Sequence, residues 1–121
     1  MPLNDEDILN ACLPILQNNA KITESQDRCF LTAYQIWIRL ISQGHRICGD
    51  LRNSYGDGVG AGAGAHVGPA QRMAQALARS PVVEKFYIDT MYLWFEPPHG
   101  GGFGPSQLYC GIFRLRERVI D

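Results

Sequence analysis

The stretch VVEKFYIDTMYLWFE, residues 82–96, decides the fold class of this chain. Its first half, VVEKFYI (residues 82–88), is rich in β-branched and aromatic residues, which are typical of strands. Its second half, MYLWFE (residues 91–96), follows Asp89-Thr90, a two-residue gap that is compatible with a hairpin, although Asp-Thr is not a preferred turn pair. A further strand is predicted in QLYCGIFRLR (residues 107–116), so residues 82–116 are expected to form a three-stranded antiparallel meander.

The residues before this region show helical spacing. A first helix is predicted from Asp5 to about Gln17, with Asn4 as its N-cap, and Pro14 inside it should end or bend it. A second helix is predicted to begin after Thr32 and to be the most buried element, because apolar residues cover most of its circumference. A short helical turn is expected around Asp50 to Tyr55.

A third helix is predicted over Pro69 to Arg79, since proline is favourable at the first helical position. Its inner face would hold Ala70, Met73, Ala74 and Leu77. Its outer face would hold Gln71, Arg72, Gln75 and Arg79. With the sheet placed last, the fold class is α+β: about three helices followed by the meander.

Length and composition favour one domain. The chain has 121 residues, of which 45% are hydrophobic, so a conventional core can form. Within this single domain, residues 1–19 are the N-terminal helix, residues 56–68 a glycine-rich loop and residues 82–116 the sheet. No apolar run approaches the ~20 residues that span a bilayer, which predicts no membrane association.

The cysteines and charges indicate a cytoplasmic protein. Four cysteines occur without a CxxC pair, so they are expected to be reduced thiols, mostly in the core, and no metal site is predicted. The net charge is −1, and no basic run typical of strong nucleic-acid binders is present. The histidines stand at no metal-ligand spacing, and no catalytic motif appears, so no cofactor and no catalytic residue are predicted and an enzymatic role is not favoured.

The segment YGDGVGAGAGAHVGPAQR, residues 55–72, carries the candidate ligand site. Glycine-rich backbone leading into a helix N-terminus can hold an anion. We therefore expect Gly64, His66, Gly68 and Arg72 to contact a small anionic ligand. The segment is neither a P-loop nor a dinucleotide fingerprint, because it lacks GxxxxGK[ST] and a preceding βαβ unit. A packed or mobile loop is the alternative interpretation.

The aromatic residues of MYLWFE extend this hypothesis. Tyr92 and Trp94 alternate with apolar residues, so both faces of the predicted strand are apolar. One of them could supply flat contact to the ligand. If one face is exposed, a second copy of the chain is the expected partner, which predicts a homodimer.

Two other functions stay open. Gln71, Arg72, Gln75 and Arg79 could read DNA bases if the chain were a winged-helix protein, although the connection between the second and third helices is far longer than a helix-turn-helix allows. Alternatively, the acidic start (Asp5, Glu6 and Asp7) could bind a protein partner, as in an inhibitor or interaction protein of mobile-element origin.

Four segments carry a resemblance to a known group. These are LTAYQIW (residues 31–37), GAGAHVGPAQRMAQAL (62–77), FYIDTMYLWF (86–95) and YCGIFRL (109–115). Together they resemble small uncharacterised proteins carried on integron gene cassettes. The resemblance implies a compact bacterial accessory protein of the cytosol. It carries over no functional residue.

Overall fold

The computed structural model describes residues 3–20, 28–56, 68–98, 100–102, 104–105 and 108–116. In this part of the chain four helices and three strands follow one another in a fixed order. They are α1 (Asp5–Gln17), β1 (Leu31–Thr32), α2 (Ala33–Ser42), α3 (Ile47–Tyr55), α4 (Pro69–Arg79), β2 (Val83–Asp89) and β3 (Tyr109–Leu115). The α+β class is therefore confirmed.

Local capping explains where α1 and α2 begin. The Asn4 side chain accepts a hydrogen bond of 2.8 Å from the Asp7 amide, and α1 continues through Pro14 to Gln17. At α2 the Thr32 hydroxyl accepts from the Gln35 amide (3.1 Å), while the Gln35 side chain accepts from the Thr32 amide (2.8 Å). This reciprocal cap satisfies two backbone donors that a helix start leaves without partners.

The segment predicted as a short turn is a nine-residue helix, α3. It begins without the usual Ser, Thr, Asp or Asn cap, which is why its start is hard to recognise in sequence. Instead, the Ile47 amide donates to Nδ1 of His45 at 3.1 Å. Helix α4 has the predicted bounds, with Pro69 at its first position and Gly68 as its N-cap.

The sheet differs from the predicted meander. Its order is β1-β3-β2, with β3 antiparallel to both neighbours, and β1 comes before α2. The prediction of a strand at Met91–Glu96 is wrong, because these residues form no strand of the sheet. The Asp89 carboxylate accepts from the Met91 amide at 2.7 Å and Tyr92 has a φ of 66°, so the chain turns out of the sheet after β2.

One apolar cluster joins the helices to the inner face of the sheet. Trp37 and Leu40 of α2, Met73 of α4 and Phe113 of β3 are fully buried within it. Among the four thiols, Cys12 and Cys48 are buried and Cys29 is exposed. In the described ranges, every helix falls short of the length and apolar character that crossing a membrane requires.

Candidate functional site

A cleft lies where the inner face of the sheet meets the first turns of α2 and α4. Its volume is about 220 Å³. We call it the sheet–helix cleft. The side chains that give it its chemistry are Tyr34, Gln71, Lys85, Tyr87, Tyr109 and Cys110.

Strand pairing explains why the walls of the cleft are aromatic. Alternate residues of a strand share a face, so Lys85 and Tyr87 of β2 lie on the same side as Val83. The register pairs Lys85 with Phe113 and Tyr87 with Gly111. The Tyr87 and Tyr109 rings meet edge to face with their centroids 5.6 Å apart. These pairs build one continuous wall from two strands that are distant in sequence.

Gly111 lies at the bottom of the cleft, and its lack of a side chain leaves space there. A Cβ atom at this position would lie 3.1 Å from Cε of Lys85 and 3.1 Å from the Phe113 ring. Both distances are shorter than ordinary van der Waals contact. The absence of a side chain at Gly111 therefore leaves room for the Lys85 side chain to pass close to the backbone of β3.

Lys85 is the charged side chain among the described residues that line the cleft. The Lys85 ammonium lies 4.9 Å from the centre of the Tyr87 ring and 5.8 Å from that of Phe113. Among the described lining residues, none is a carboxylate. The first turns of two helices, at Ala33–Tyr34 and Ala70–Gln71, also border the cleft, and helix N-termini carry partial positive charge.

Two polar groups of the cleft, Tyr34 and Cys110, are held in their neutral form. Burial raises the pKa of the Tyr34 hydroxyl, and the nearby Cys110 raises it further. Burial also raises the pKa of the Cys110 thiol. Both groups therefore keep their protons near neutral pH. Since the thiolate is the nucleophilic form of cysteine, Cys110 is not an activated nucleophile.

A second cavity, of about 290 Å³, lies between α1 and the start of α3. Its polar lining includes Asp7 and Asp50 together with His45 and Arg46, so carboxylates and a guanidinium balance one another. In the described part of the chain no group of three or more metal-binding side chains occurs. This cavity lacks the one-sided charge of the sheet–helix cleft.

The predicted anion site is only partly within the described residues. Gly64 and His66 lie outside them. Gly68 is the N-cap of α4, and its amide donates to Oε1 of Gln71 at 3.1 Å. The amide directly before Pro69 is therefore bonded inside the protein and is not open to a ligand.

The expectation that Arg72 faces outward is wrong. Arg72 is only 8% exposed. Its Nη2 lies 2.8 Å from Oδ1 of Asp5 and donates to the Leu3 carbonyl at 3.0 Å, while its Nε donates to the Tyr55 hydroxyl at 3.0 Å. The guanidinium thus connects α4 to α1 and α3. The signal was present in the helix spacing, because Pro69, Met73 and Ala76 define a buried stripe that includes position 72.

The two predicted aromatic contacts lie away from the cleft. Tyr92 is 97% exposed, at the turn after β2. Trp94 donates from Nε1 to Oε1 of Glu96 at 3.1 Å, and its ring packs against the backbone at Gly102 and Gly104, where a side chain would collide. The aromatic rings that do line the cleft, those of Tyr34, Tyr87, Tyr109 and Phe113, were not predicted.

The four α4 residues proposed for DNA binding do not form one exposed face of the helix. Gln75 and Arg79 are exposed, but Gln71 is half-buried and Arg72 is buried. Of the three acidic residues at the start of α1, Asp5 already forms ion pairs within the protein, with Nη2 of Arg72 and Nε of Arg79, both at 2.8 Å. Glu6 and Asp7 are exposed.

Comparisons of the chain with protein-family models, with curated proteins and with solved structures give no match.

Proposed function

We propose that the protein is a non-enzymatic binding module whose ligand is a small, flat anion held in the sheet–helix cleft. One observation carries this proposal: the Lys85 ammonium lies beside aromatic rings in a cleft whose described lining residues include no carboxylate. A buried or half-buried cation without an opposite charge favours an anionic ligand, because ion pairing offsets the loss of hydration.

The size of the cleft restricts the ligand. Pockets for drug-sized molecules are roughly 300–1,000 Å³, whereas this cleft is about 220 Å³. A single ring bearing one carboxylate fits these dimensions better than a nucleotide does. The ring would stack against Tyr87 or Tyr109, and the carboxylate would meet Lys85 and the first turns of α2 and α4.

The neutral groups favour recognition over chemistry. Tyr34 and Cys110 keep their protons because burial raises the pKa of each. They can donate hydrogen bonds, and burial disfavours the phenolate and thiolate forms that would act as base or nucleophile. Binding without turnover is therefore the function that we infer for this cleft.

Titration with benzoate, followed by calorimetry, tests the proposal, with benzamide as the uncharged ligand of matching shape. We expect benzoate to bind and Lys85→Gln to weaken binding about tenfold or more, since a hydrogen bond to a charged group contributes about 1.5–3 kcal/mol. Arg116→Gln is the matched control, because it removes an exposed cation that does not line the cleft. Equal affinity of benzoate for the wild type and Lys85→Gln, or equal affinity for benzamide, would contradict the proposal.

A further inference from the structure

One edge of the sheet is formed by β2, and its backbone groups alternate between the two sides. The Val82 carbonyl accepts from the Arg116 amide at 2.7 Å, and the Thr90 amide donates to the Leu108 carbonyl at 3.0 Å. Even-numbered residues therefore point their backbone groups toward β3. In a strand, the intervening residues point theirs the other way. Lys85, Tyr87 and Asp89 thus turn their N–H and C=O groups to the outer edge.

This edge has no strand beside it within the described part of the chain. Both faces next to it are also open, since Phe86 is 54% exposed and Tyr87 is 60% exposed. The strand has seven residues and contains no proline. Proteins usually protect such an edge, because a row of free backbone groups is a template for another strand.

We propose that the edge is paired with β2 of a second copy of this chain, in an antiparallel dimer whose two-fold axis passes beside Tyr87. This inference goes beyond the proposed ligand and does not depend on it. Antiparallel pairing about a two-fold axis presents the same strand to itself, as closed dimers require. The two sheets would join into one sheet of six strands.

The charges of β2 select the register. Residues that face each other across the dimer must lie on the same face of the joined sheet, so odd-numbered residues meet odd-numbered ones. Centring the pairing on Tyr87 places Lys85 opposite Asp89 of the second copy, twice by symmetry. Centring it on Lys85 or on Asp89 would oppose like charges, and centring it on Phe86 would oppose no charges. Opposite charges directly across a strand pair stabilise it, and like charges destabilise it.

The side chains on the outer face agree with the same register. Phe86 would lie opposite Ile88 of the second copy, again twice by symmetry. Phe86 already contacts Phe30 of its own chain, with ring centroids 5.6 Å apart. The dimer would therefore extend an existing apolar cluster and would cover part of two large exposed side chains, Phe86 and Tyr87.

Charge exchange tests the proposal. The oligomeric state is measured by sedimentation equilibrium for the wild type, Asp89→Lys, Lys85→Asp and the double variant. We expect each single variant to raise the dimer dissociation constant about tenfold or more, because two attractive pairs become repulsive. The double variant should recover most of the lost affinity. Thermal melting of each variant shows whether the monomer is folded.

Cysteine cross-linking tests the register separately, in a background where Cys29 and Cys110 are replaced by serine. Tyr87→Cys places two thiols across the axis, about 5.5 Å apart between Cα atoms, which a disulfide can bridge. We expect Tyr87→Cys to cross-link rapidly and Phe86→Cys to cross-link poorly. A monomer at millimolar concentration, or a double variant no better than the single ones, would overturn the dimer. Preferential cross-linking of Phe86→Cys would overturn the register.

Discussion

Nη2 of Arg72 lies 2.8 Å from Oδ1 of Asp5 and fixes the first turn of α4 to the first turn of α1. The same guanidinium donates to the Leu3 carbonyl and the Tyr55 hydroxyl, so three parts of the chain, α4, α3 and the start of α1, meet at this side chain. A side chain with three internal partners is part of the architecture. Of its three nitrogens, Nη1 is buried and makes no hydrogen bond to the described residues.

Replacement of Arg72 by glutamine is expected to lower the free energy of unfolding by about 2 kcal/mol, because buried hydrogen-bond partners lose their donor. Urea denaturation measures the change. Arg79→Gln is the matched control, since Arg79 bonds to the same carboxylate from a side chain that is 61% exposed. Exposed ion pairs contribute about 0–1 kcal/mol, so this control should change stability little. Equal effects of the two substitutions would contradict the structural role of Arg72.

The Asp5 carboxylate makes the free energy of unfolding depend on pH. The hydrogen bond from Arg72 is the main cause that lowers the pKa of Asp5, with Arg79 adding to it. A group whose pKa is lower in the folded state contributes stability above its unfolded pKa, and this contribution is lost as the pH falls through the folded pKa. Asp5→Asn should therefore reduce stability at neutral pH and make it less dependent on pH below about pH 4.

Melting curves recorded at neutral pH and in acid check this prediction. The difference between the wild type and Asp5→Asn should be largest at neutral pH and should shrink in acid, where the wild-type carboxylate is protonated. Asp7→Asn is the control, because Asp7 is exposed and stands in the same helical turn. A wild-type advantage that stays constant into acid would show that the charge of Asp5 does not stabilise the fold.

The helices were predictable because their signals are local. Asn4 and Thr32 each mark a helix start through a hydrogen bond with the residue three positions on, and Pro69 marks one as proline at the first helical position. The strand predicted at Met91–Glu96 failed because composition cannot show that Asp89 closes a turn directly after β2. The sheet order also depends on β1, which has two residues and is therefore too short to leave a pattern.

The candidate site was less predictable than the fold. Alternation along residues 83–89 places Lys85 and Tyr87 on one face, and that much is available from sequence. Their neighbours Tyr109 and Gly111 join them only through the register of β2 with β3. A long connection separates these strands, and its length does not determine their register. Likewise, the carboxylate that pairs with Arg72 is Asp5 of α1, far away along the chain, and local spacing within α4 does not reveal a partner at that distance.

Gly111→Ala is expected to close the floor of the sheet–helix cleft. The new methyl group would lie 3.1 Å from Cε of Lys85 and from Cζ of the fully buried Phe113. The lysine can move, but the ring has little freedom, so unfolding should become easier by about 1–3 kcal/mol. Benzoate affinity should fall as well. Calorimetric titration and urea denaturation measure the two effects.

Gly49→Ala is the control for this substitution. Gly49 stands in α3 with no atom within 4 Å of a new Cβ. Alanine is the better helix former by about 1 kcal/mol, so this variant should be slightly more stable and should bind benzoate normally. If Gly111→Ala behaved in the same way, the cleft would not be the binding site.

The ligand and the dimer are expected to oppose each other, because both use Lys85. A carboxylate bound in the sheet–helix cleft would compete with Asp89 of the second copy for the same ammonium. Linkage requires the effect to be reciprocal: benzoate should weaken the dimer by the factor by which dimerisation weakens benzoate binding. This prediction rests on both proposals.

Sedimentation equilibrium with and without saturating benzoate measures the effect, with benzamide added at the same concentration as the uncharged control. We expect the dimer dissociation constant to rise with benzoate and to stay constant with benzamide. In Lys85→Gln the dimer is weaker from the start, and benzoate should change it no further. If bound benzoate leaves the wild-type dimer unaffected, the Lys85 ammonium contacts either benzoate or Asp89 of the second copy, but not both. The affinity of Lys85→Gln for benzoate then identifies whether that partner is the ligand or the second copy.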